Sequence, residues 1–328
     1  MVRVAILDDY QRVALAMADW SVLPADVRVD AFPEHLADER LLTQQLKDYD
    51  VVIGMRERTP MPRSLLEQLP NLKLLMTTGM GNASFDLAAA TELGIIVSGT
   101  QGGGAGTAEL TWGLILSVAR NIPREEASLR QGGWQHTIGP SLSGKTLGIV
   151  GLGRIGTAMA RIGLAFDMKV LAWSQNLTRD RADAAGAVYA RKDELFSNAD
   201  FVTIHYVLSD RSRGMVGGAE IGLMKPTAYL INTSRGPIVD EQALIQALQT
   251  RAIAGAALDV YNVEPLPVDH PFRRLDNTVV TPHLGYVTQD SYRGMFKDAV
   301  ENIQSFLLGD PTRVINAAVL ERPNLRKI

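Results

Sequence analysis

Three side chains of different chemistry each follow closely on an apolar run: Arg235 after TAYLINT, Glu264 after AGAALDV and His283 after NTVVTP. If these runs are strands of one parallel sheet, their carboxyl ends bring a cation, a carboxylate and an imidazole to a single rim, the edge at which such sheets bind ligands. An imidazole titrates near neutrality and suits proton transfer to or from a hydroxyl. A carboxylate on the other ring nitrogen would hold its tautomer and favour the charged ring. A guanidinium offers a fork of donors that binds a carboxylate or polarises a carbonyl. Each residue alone has a plainer reading: Arg in SRGP as a solvated turn, Glu before Pro as the end of an element, His after Pro as the partner of a backbone carbonyl. The shared rim favours the joint reading.

A glycine turn belongs to the same rim. In TLGIVGLGRIG the apolar run ends at Val150, and a helix opens near Arg154. Gly151 makes the tight turn, Gly153 lets backbone N–H groups approach a pyrophosphate, and Gly156 allows the helix to pack closely on the strand. This reads as a dinucleotide site, the plainer reading being a glycine turn with no ligand, and a bound nucleotide's chemistry would join that of the three side chains. A hydride cannot enter or leave an alcohol carbon unless the hydroxyl proton also moves. Farther on, MKVLAWSQNL runs out into Ser174, Gln175 and Asn176, where dinucleotide folds usually carry an acid for a ribose hydroxyl. No acid stands there. Ser174, Asn176 and Thr178 offer hydrogen bonds, and Arg179 either offers charge or starts the next helix facing water.

These residues need a scaffold of strands and helices in alternation. The first part of the chain reads VRVAIL, a helix over Leu36 to Leu46, DVVIG, a helix over Ser64 to Leu69, LKLLM, a helix over Leu87 to Leu93, and GIIV. Such alternation predicts a parallel sheet covered on both faces. SGTQGGGAG then breaks the pattern and leads into an apolar helix over Thr107 to Arg120, a plausible domain crossing. Six further candidate strands follow, TLGIV, MKVLAW, DFVTIH, TAYLINT, AGAALDV and NTVVTP, with helices over Arg154 to Phe166 and Asp240 to Arg251. Six is the count of a full dinucleotide-binding sheet. A last helix over Thr288 to Leu308 and the tail RVINAAVL are too small to fold alone and are expected to pack on the first domain.

Composition bounds the function. The 328 residues suggest two domains. The chain has no cysteine, which excludes a disulfide framework, a thiol nucleophile and thiolate metal ligands; no metal site is expected. A net charge of -3 gives no general pull toward nucleic acid or anionic membrane. MVRVAIL lacks an apolar leader, and no run approaches the roughly 18 apolar residues of a membrane span. The reading is a soluble cytoplasmic protein. Of the other histidines, His35 and His270 lie in charged, Pro-bearing stretches and are read as surface, His136 as a loop residue, and His205 as a satisfied core or rim residue.

GIVGLGRIG, ADFVTIH, LMKPTAYLINTSRGPIVDEQAL, AGAALDVYNVEPLP, DHP and NTVVTPHLGY, in this order, resemble the D-isomer-specific 2-hydroxyacid dehydrogenase family, whose members include glyoxylate/hydroxypyruvate reductases and phosphoglycerate dehydrogenases. The resemblance implies two doubly wound parallel-sheet α/β domains. A Rossmann nucleotide domain, residues 101–285, is inserted into a discontinuous flavodoxin-like substrate domain, residues 1–100 and 286–328. It also implies a cleft between them, a homodimer built largely on the nucleotide domain, and a small 2-oxo or 2-hydroxy acid as substrate. Arg235 would bind that acid, His283 act as general acid/base and Glu264 orient it, with Met80 and Gly81 presenting N–H groups to the carboxylate. The implied cofactor contacts are Gly151, Gly153, Arg154, Ile155, Ser174, Asn176, Val207, Thr107, Thr233 and Asp259, the last at the nicotinamide carboxamide. Ser174 stands where NAD-specific members carry Asp, which removes repulsion of a 2′-phosphate and tips the choice toward NADP(H) over NAD(H), dual use included.

Two departures from the family pattern stand out. Val207 replaces a common Pro, and the crossing segment TQGGGAGTAE is mostly glycine where Asn and Pro are usual, permitting a larger hinge motion. In GMRERTP, Arg56 and Arg58 fall at the expected cleft, where one would contact a second anionic group, or else form a solvated charged loop. An alternative function on the same scaffold is a nucleotide-sensing, corepressor-like binding protein.

Overall fold

A computed structural model describes residues 1–101 and 105–327. The hinge expected in the glycine run falls on residues 102–104, outside the described residues. The chain divides into two units, Met1–Gly104 with Val287–Ile328, and Ala105–Tyr286. Both are doubly wound α/β folds on wholly parallel sheets.

The first unit contains β1 (Val2–Ile6), β2 (Val27–Ala31), β3 (Val51–Gly54), β4 (Leu74–Thr77) and β5 (Ile96–Gly99), in the order β2-β1-β3-β4-β5. VVIG, LLMT and IVSG are buried at every position, as β-branched and apolar runs covered on both faces must be. Asp38 caps the helix Glu39–Leu46 by accepting the N–H groups of Arg40 and Leu41, and Asp86 caps Leu87–Glu92 by accepting that of Ala89. β2 was not legible as a strand, because VRVDA sits half-buried at the sheet edge and lacks a continuous apolar run.

The helix Gln289–Leu307 buries Tyr292, Met295, Phe296, Ala299, Val300, Ile303 and Phe306, a spacing of three and four that forms one apolar stripe. It packs within the first unit, Phe296 lying 6.1 Å from the ring of Trp20. The segment after it runs along β5: Val314 bridges Ser98, Ile315 N–H donates to Val97 O at 2.7 Å, and Val97 N–H donates to Asn316 Oδ1 at 2.8 Å. Arg326 then donates to the carbonyls of Leu69 and Leu72.

The second unit contains β6 (Thr146–Val150), β7 (Lys169–Trp173), β8 (Val188–Tyr189), β9 (Phe201–Ile204), β10 (Tyr229–Asn232), β11 (Gly255–Leu258) and β12 (Thr278–Val280), ordered β12-β11-β10-β9-β6-β7-β8. The direction of winding reverses at β6, between β7 and β9, and such a switch point opens a crevice at the carboxyl ends. The six expected strands are present; the seventh, β8, is two residues long. The helix Gly106–Arg120 buries Ala108, Trp112, Ile115 and Ala119 on this sheet. Among the described residues no helix is long and apolar enough to cross a membrane.

Candidate active site

Because every strand of the second unit is parallel, one rim collects Gly151 after β6, Ser174 after β7, His205 after β9, Thr233 to Arg235 after β10, Asp259 to Glu264 after β11 and His283 after β12. The structure brings Glu264 and His283 together: Nδ1 of His283 lies 2.6 Å from Glu264 Oε2. The other carboxylate oxygen, Oε1, accepts the backbone N–H of Tyr261 at 2.9 Å. Glu264 is thus oriented by the backbone and in turn orients the ring. With Nδ1 committed to the carboxylate, Nε2 is the nitrogen left for proton exchange.

His283 has φ 54, the left-handed region, which is uncommon outside glycine and clusters at functional sites. Asp259 holds the chain there. It is wholly buried, its Oδ1 accepts from Thr281 Oγ1 at 2.6 Å and Leu284 N at 2.7 Å, and its Oδ2 accepts from Gly285 N at 2.9 Å. Burial raises the Asp259 carboxyl above its ordinary value, against the pull of Thr281, Leu284, His283 and Gly285.

The Arg235 turn is built by Asn232, whose Nδ2 donates to Arg235 O at 3.0 Å while its Oδ1 accepts from Ser234 N at 3.0 Å. Arg235 Nη1 donates to Ser234 O at 2.8 Å. A Cβ on Gly236 would lie 2.1 Å from the Tyr261 carbonyl carbon, so only glycine lets this turn touch the Tyr261–Glu264 loop. The helix Gly106–Arg120 ties down the same loops: Thr107 Oγ1 donates to Gly285 O at 2.9 Å, and Thr111 Oγ1 pairs with Thr233 Oγ1 at 2.8 Å.

The glycine turn has the form a pyrophosphate needs. Gly151 has φ 103, and its Cβ would meet His205 O at 2.3 Å; a Cβ on Gly156 would meet Gly151 O at 2.1 Å. At Gly153, by contrast, a Cβ would enter open space, and no side chain caps the helix Arg154–Ala165 that begins there. Backbone donors at such an end suit an anion. Ser174 Oγ accepts Leu152 N–H at 3.0 Å, coupling the end of β7 to the turn. Tyr206 accepts Gln175 N–H at 3.2 Å and stacks on Trp173. Arg154, Asn176 and Val207 are exposed and Ile155 is half-buried. Arg179 is exposed at the start of the helix Arg179–Ala184, its guanidinium 5.5 Å from the Tyr189 ring centre.

His205 pairs through Nε2 with Thr203 Oγ1 at 2.9 Å, while its Nδ1 is buried. Burial lowers it to about 3, so the ring is neutral at neutral pH. His35 and His270 correct the surface reading. Their side chains are only 14% and 13% exposed, against Asp8 at 2.9 Å and Glu241 at 3.4 Å. An imidazole has an apolar body that packs inside once its nitrogens find partners. His136 is exposed.

In the first unit, Met80 and Gly81 are exposed on the loop after β4. Arg56 and Arg58 do not form a solvated loop. Arg58 is buried, with Nη1 donating to Asp8 O at 3.4 Å and the guanidinium over the Tyr10 ring. Arg56 is half-buried and donates through Nη1 to Thr78 O at 2.9 Å. Sequence reasoning missed Tyr261, Asn232 and Gly236. Asn232 ends a strand two residues before a Ser-Arg turn, a legible signal for a side chain that mimics backbone; a backbone donor such as Tyr261 N–H leaves no trace in the sequence.

The chain matches the model of "D-isomer specific 2-hydroxyacid dehydrogenase, NAD binding domain" over residues 112–285. It is 39% identical over 268 residues to the glyoxylate reductase of Aeropyrum pernix, covering 78% of this chain and 80% of that one. To the D-3-phosphoglycerate dehydrogenase of Methanocaldococcus jannaschii it is 37% identical over 298 residues, 89% of this chain but 56% of the relative, so the chain spans little more than half that protein's length. The crystal structure of a phosphoglycerate oxidoreductase from Vibrio cholerae superposes with a TM-score of 0.90 at 37% identity, over 94% of this chain and 100% of that one. Likeness of this breadth, reaching across both parallel sheets, means that the chain belongs to the D-isomer-specific 2-hydroxyacid dehydrogenase family.

Proposed function

We propose that the protein is an NADP(H)- or NAD(H)-dependent oxidoreductase that interconverts a small 2-oxo acid and its D-2-hydroxy acid. The observation that carries this reading is the 2.6 Å contact between His283 Nδ1 and Glu264, on the same rim as a glycine turn shaped for a pyrophosphate. When bound, the nicotinamide supplies or accepts the hydride at C2. In the reductive direction His283 gives a proton from Nε2 to the carbonyl oxygen, and Glu264 stabilises the ring while it is charged. Arg235 binds the carboxylate and carbonyl and offsets negative charge developing on oxygen. The N–H groups of Met80 and Gly81 are assigned to the carboxylate. Thr107, Thr233 and Asp259 are assigned to the nicotinamide side, and Gly151, Gly153, Arg154, Ile155, Ser174, Asn176 and Val207 to the rest of the nucleotide.

The neutral Ser174 supports a preference for NADP(H). Exposed apolar side chains at Ile122, Leu129, Trp134 and Ile138 of the second unit support a homodimer, which we place in the cytoplasm. Steady-state assays with glyoxylate, hydroxypyruvate and other 2-oxo acids, each with NADH and NADPH, test the reading. Turnover is expected with at least one acid, and His283→Ala should lower it by roughly 10²–10⁴-fold while leaving nucleotide affinity unchanged. Tight nucleotide binding with no turnover of any 2-oxo acid would sink it in favour of a nucleotide-sensing binding protein.

A further inference from the structure

We infer that Arg56 is a positioning residue for the Thr78–Asn82 loop, holding in register the two residues, Met80 and Gly81, that the proposed function assigns to the substrate's carboxylate; the inference rests on that assignment. β3 and β4 are parallel neighbours, with Ile53 opposite Met76 and Gly54 opposite Thr77. Arg56 and Thr78 therefore leave the same end of the sheet side by side.

Three hydrogen bonds join Arg56 to the loop. Arg56 N–H donates to Thr78 Oγ1 at 2.9 Å, Arg56 Nη1 donates to Thr78 O at 2.9 Å, and Asn82 Nδ2 donates to Arg56 O at 2.6 Å. One residue thus grips the loop at its first and last positions, with backbone and side chain together. It does so at φ 53, a left-handed conformation that costs free energy for any residue with a Cβ and persists only where the surroundings over-determine it. The loop has yielded to the guanidinium in return: Gly79 has φ 111, and a Cβ there would stand 2.1 Å from Arg56 Nη1.

The far side of the loop is fixed as well. Gly79 N–H donates to Thr100 Oγ1 at 2.9 Å, and Thr100 N–H donates to Gly79 O at 3.1 Å. Asn82 Nδ2 also reaches Thr77 Oγ1 at 3.0 Å, and its Oδ1 accepts from Ser84 N at 2.9 Å. Between these anchors Met80 stands 53% exposed, and a Cβ on Gly81 would meet no atom within 4 Å. The arrangement is a rigid frame around a short open segment, which is what a set of N–H groups needs in order to meet a planar carboxylate without ordering itself first.

A brace and a substrate ligand differ in what their loss does. A carboxylate is common to every 2-oxo acid, so a disordered loop weakens all of them alike, whereas loss of a ligand to a second anionic group harms only substrates that carry one. Arg56→Ala is expected to raise KM by about tenfold or more for glyoxylate, with one carboxylate, and for oxaloacetate, with two. Arg56→Lys should recover part of the loss by donating one hydrogen bond to Thr78 O, and nucleotide affinity should not change. Hydrogen exchange at Gly79 to Asn82 reads the brace directly and should quicken in Arg56→Ala; if that variant does not fold, Arg56→Lys carries the same comparison. Unchanged exchange, or a KM loss confined to oxaloacetate, would overturn the inference. Failure of the functional reading would show instead as no turnover by the unsubstituted protein, with the exchange difference intact.

Discussion

Ser174 and His283 show how the surroundings of a single residue bear on the chemistry proposed for it. The hydroxyl of Ser174 holds the amide of Leu152 at 3.0 Å, so it belongs to the architecture of the glycine turn as well as to the nucleotide contacts assigned to it in the proposed function. An Asp in its place can accept the same amide while adding a charge that repels a 2′-phosphate. Ser174→Asp should therefore keep the turn and shift the NADPH to NADH ratio of kcat/KM toward NADH by about tenfold, or about 1.4 kcal/mol. Fluorescence titration of both nucleotides alongside the kinetics would check it. A ratio that does not move would pass the reading of the ribose to another group, with Asn176 and Arg179 next to be replaced. His283 makes the complementary point. Its place on the rim was legible from the apolar run before it, but its φ of 54 and the burial of Asp259 beneath it were not, because backbone sign and hydrogen-bond partners arise only when separate loops meet.

At the scale of elements, strand ends carry the site and strand interiors carry the legible signal. Runs such as VVIG, LLMT and TLGIV announce buried parallel strands because nearly every side chain lies inside. β2 and β8 are half-buried edge pieces, one alternating and one two residues long, so the same criterion passes over them. The helix Ile122–Arg130 carries no apolar stripe for a related reason, since IPREEASLR buries none of its residues. The end of β9 gives a measurable consequence. His205 is held from its ordinary value of 6.5 down to about 3 by burial, so between those values the unfolded chain takes up a proton that the folded one refuses. Its contribution to stability is intact above pH 6.5 and is lost as pH falls toward 3. His205→Gln, which still offers a polar group to Thr203, should flatten the fall in urea midpoint of the second unit across that interval relative to the unsubstituted protein. Parallel curves for the two proteins would contradict the burial argument.

At the scale of the whole molecule, two features reach beyond any single site. The first is the exposure of Trp134 at 73% and Ile138 at 101% in the second unit, large apolar surfaces of the kind that symmetric partners cover. Sedimentation velocity is expected to give a dimer, and Trp134→Ala combined with Ile138→Asp to give a monomer. A monomeric unsubstituted protein would remove the homodimer from the proposal. The second is the way residues 314–316 finish the open side of β5, with Ile315 donating to Val97 O and Asn316 accepting from Val97 N–H. On a ribosome the chain emerges in one direction, so the earliest sheet to be made receives its covering segment after the entire inserted unit has been translated. A nascent chain halted after Tyr286 would carry a finished Rossmann unit beside a sheet whose last strand still offers its edge to any neighbour.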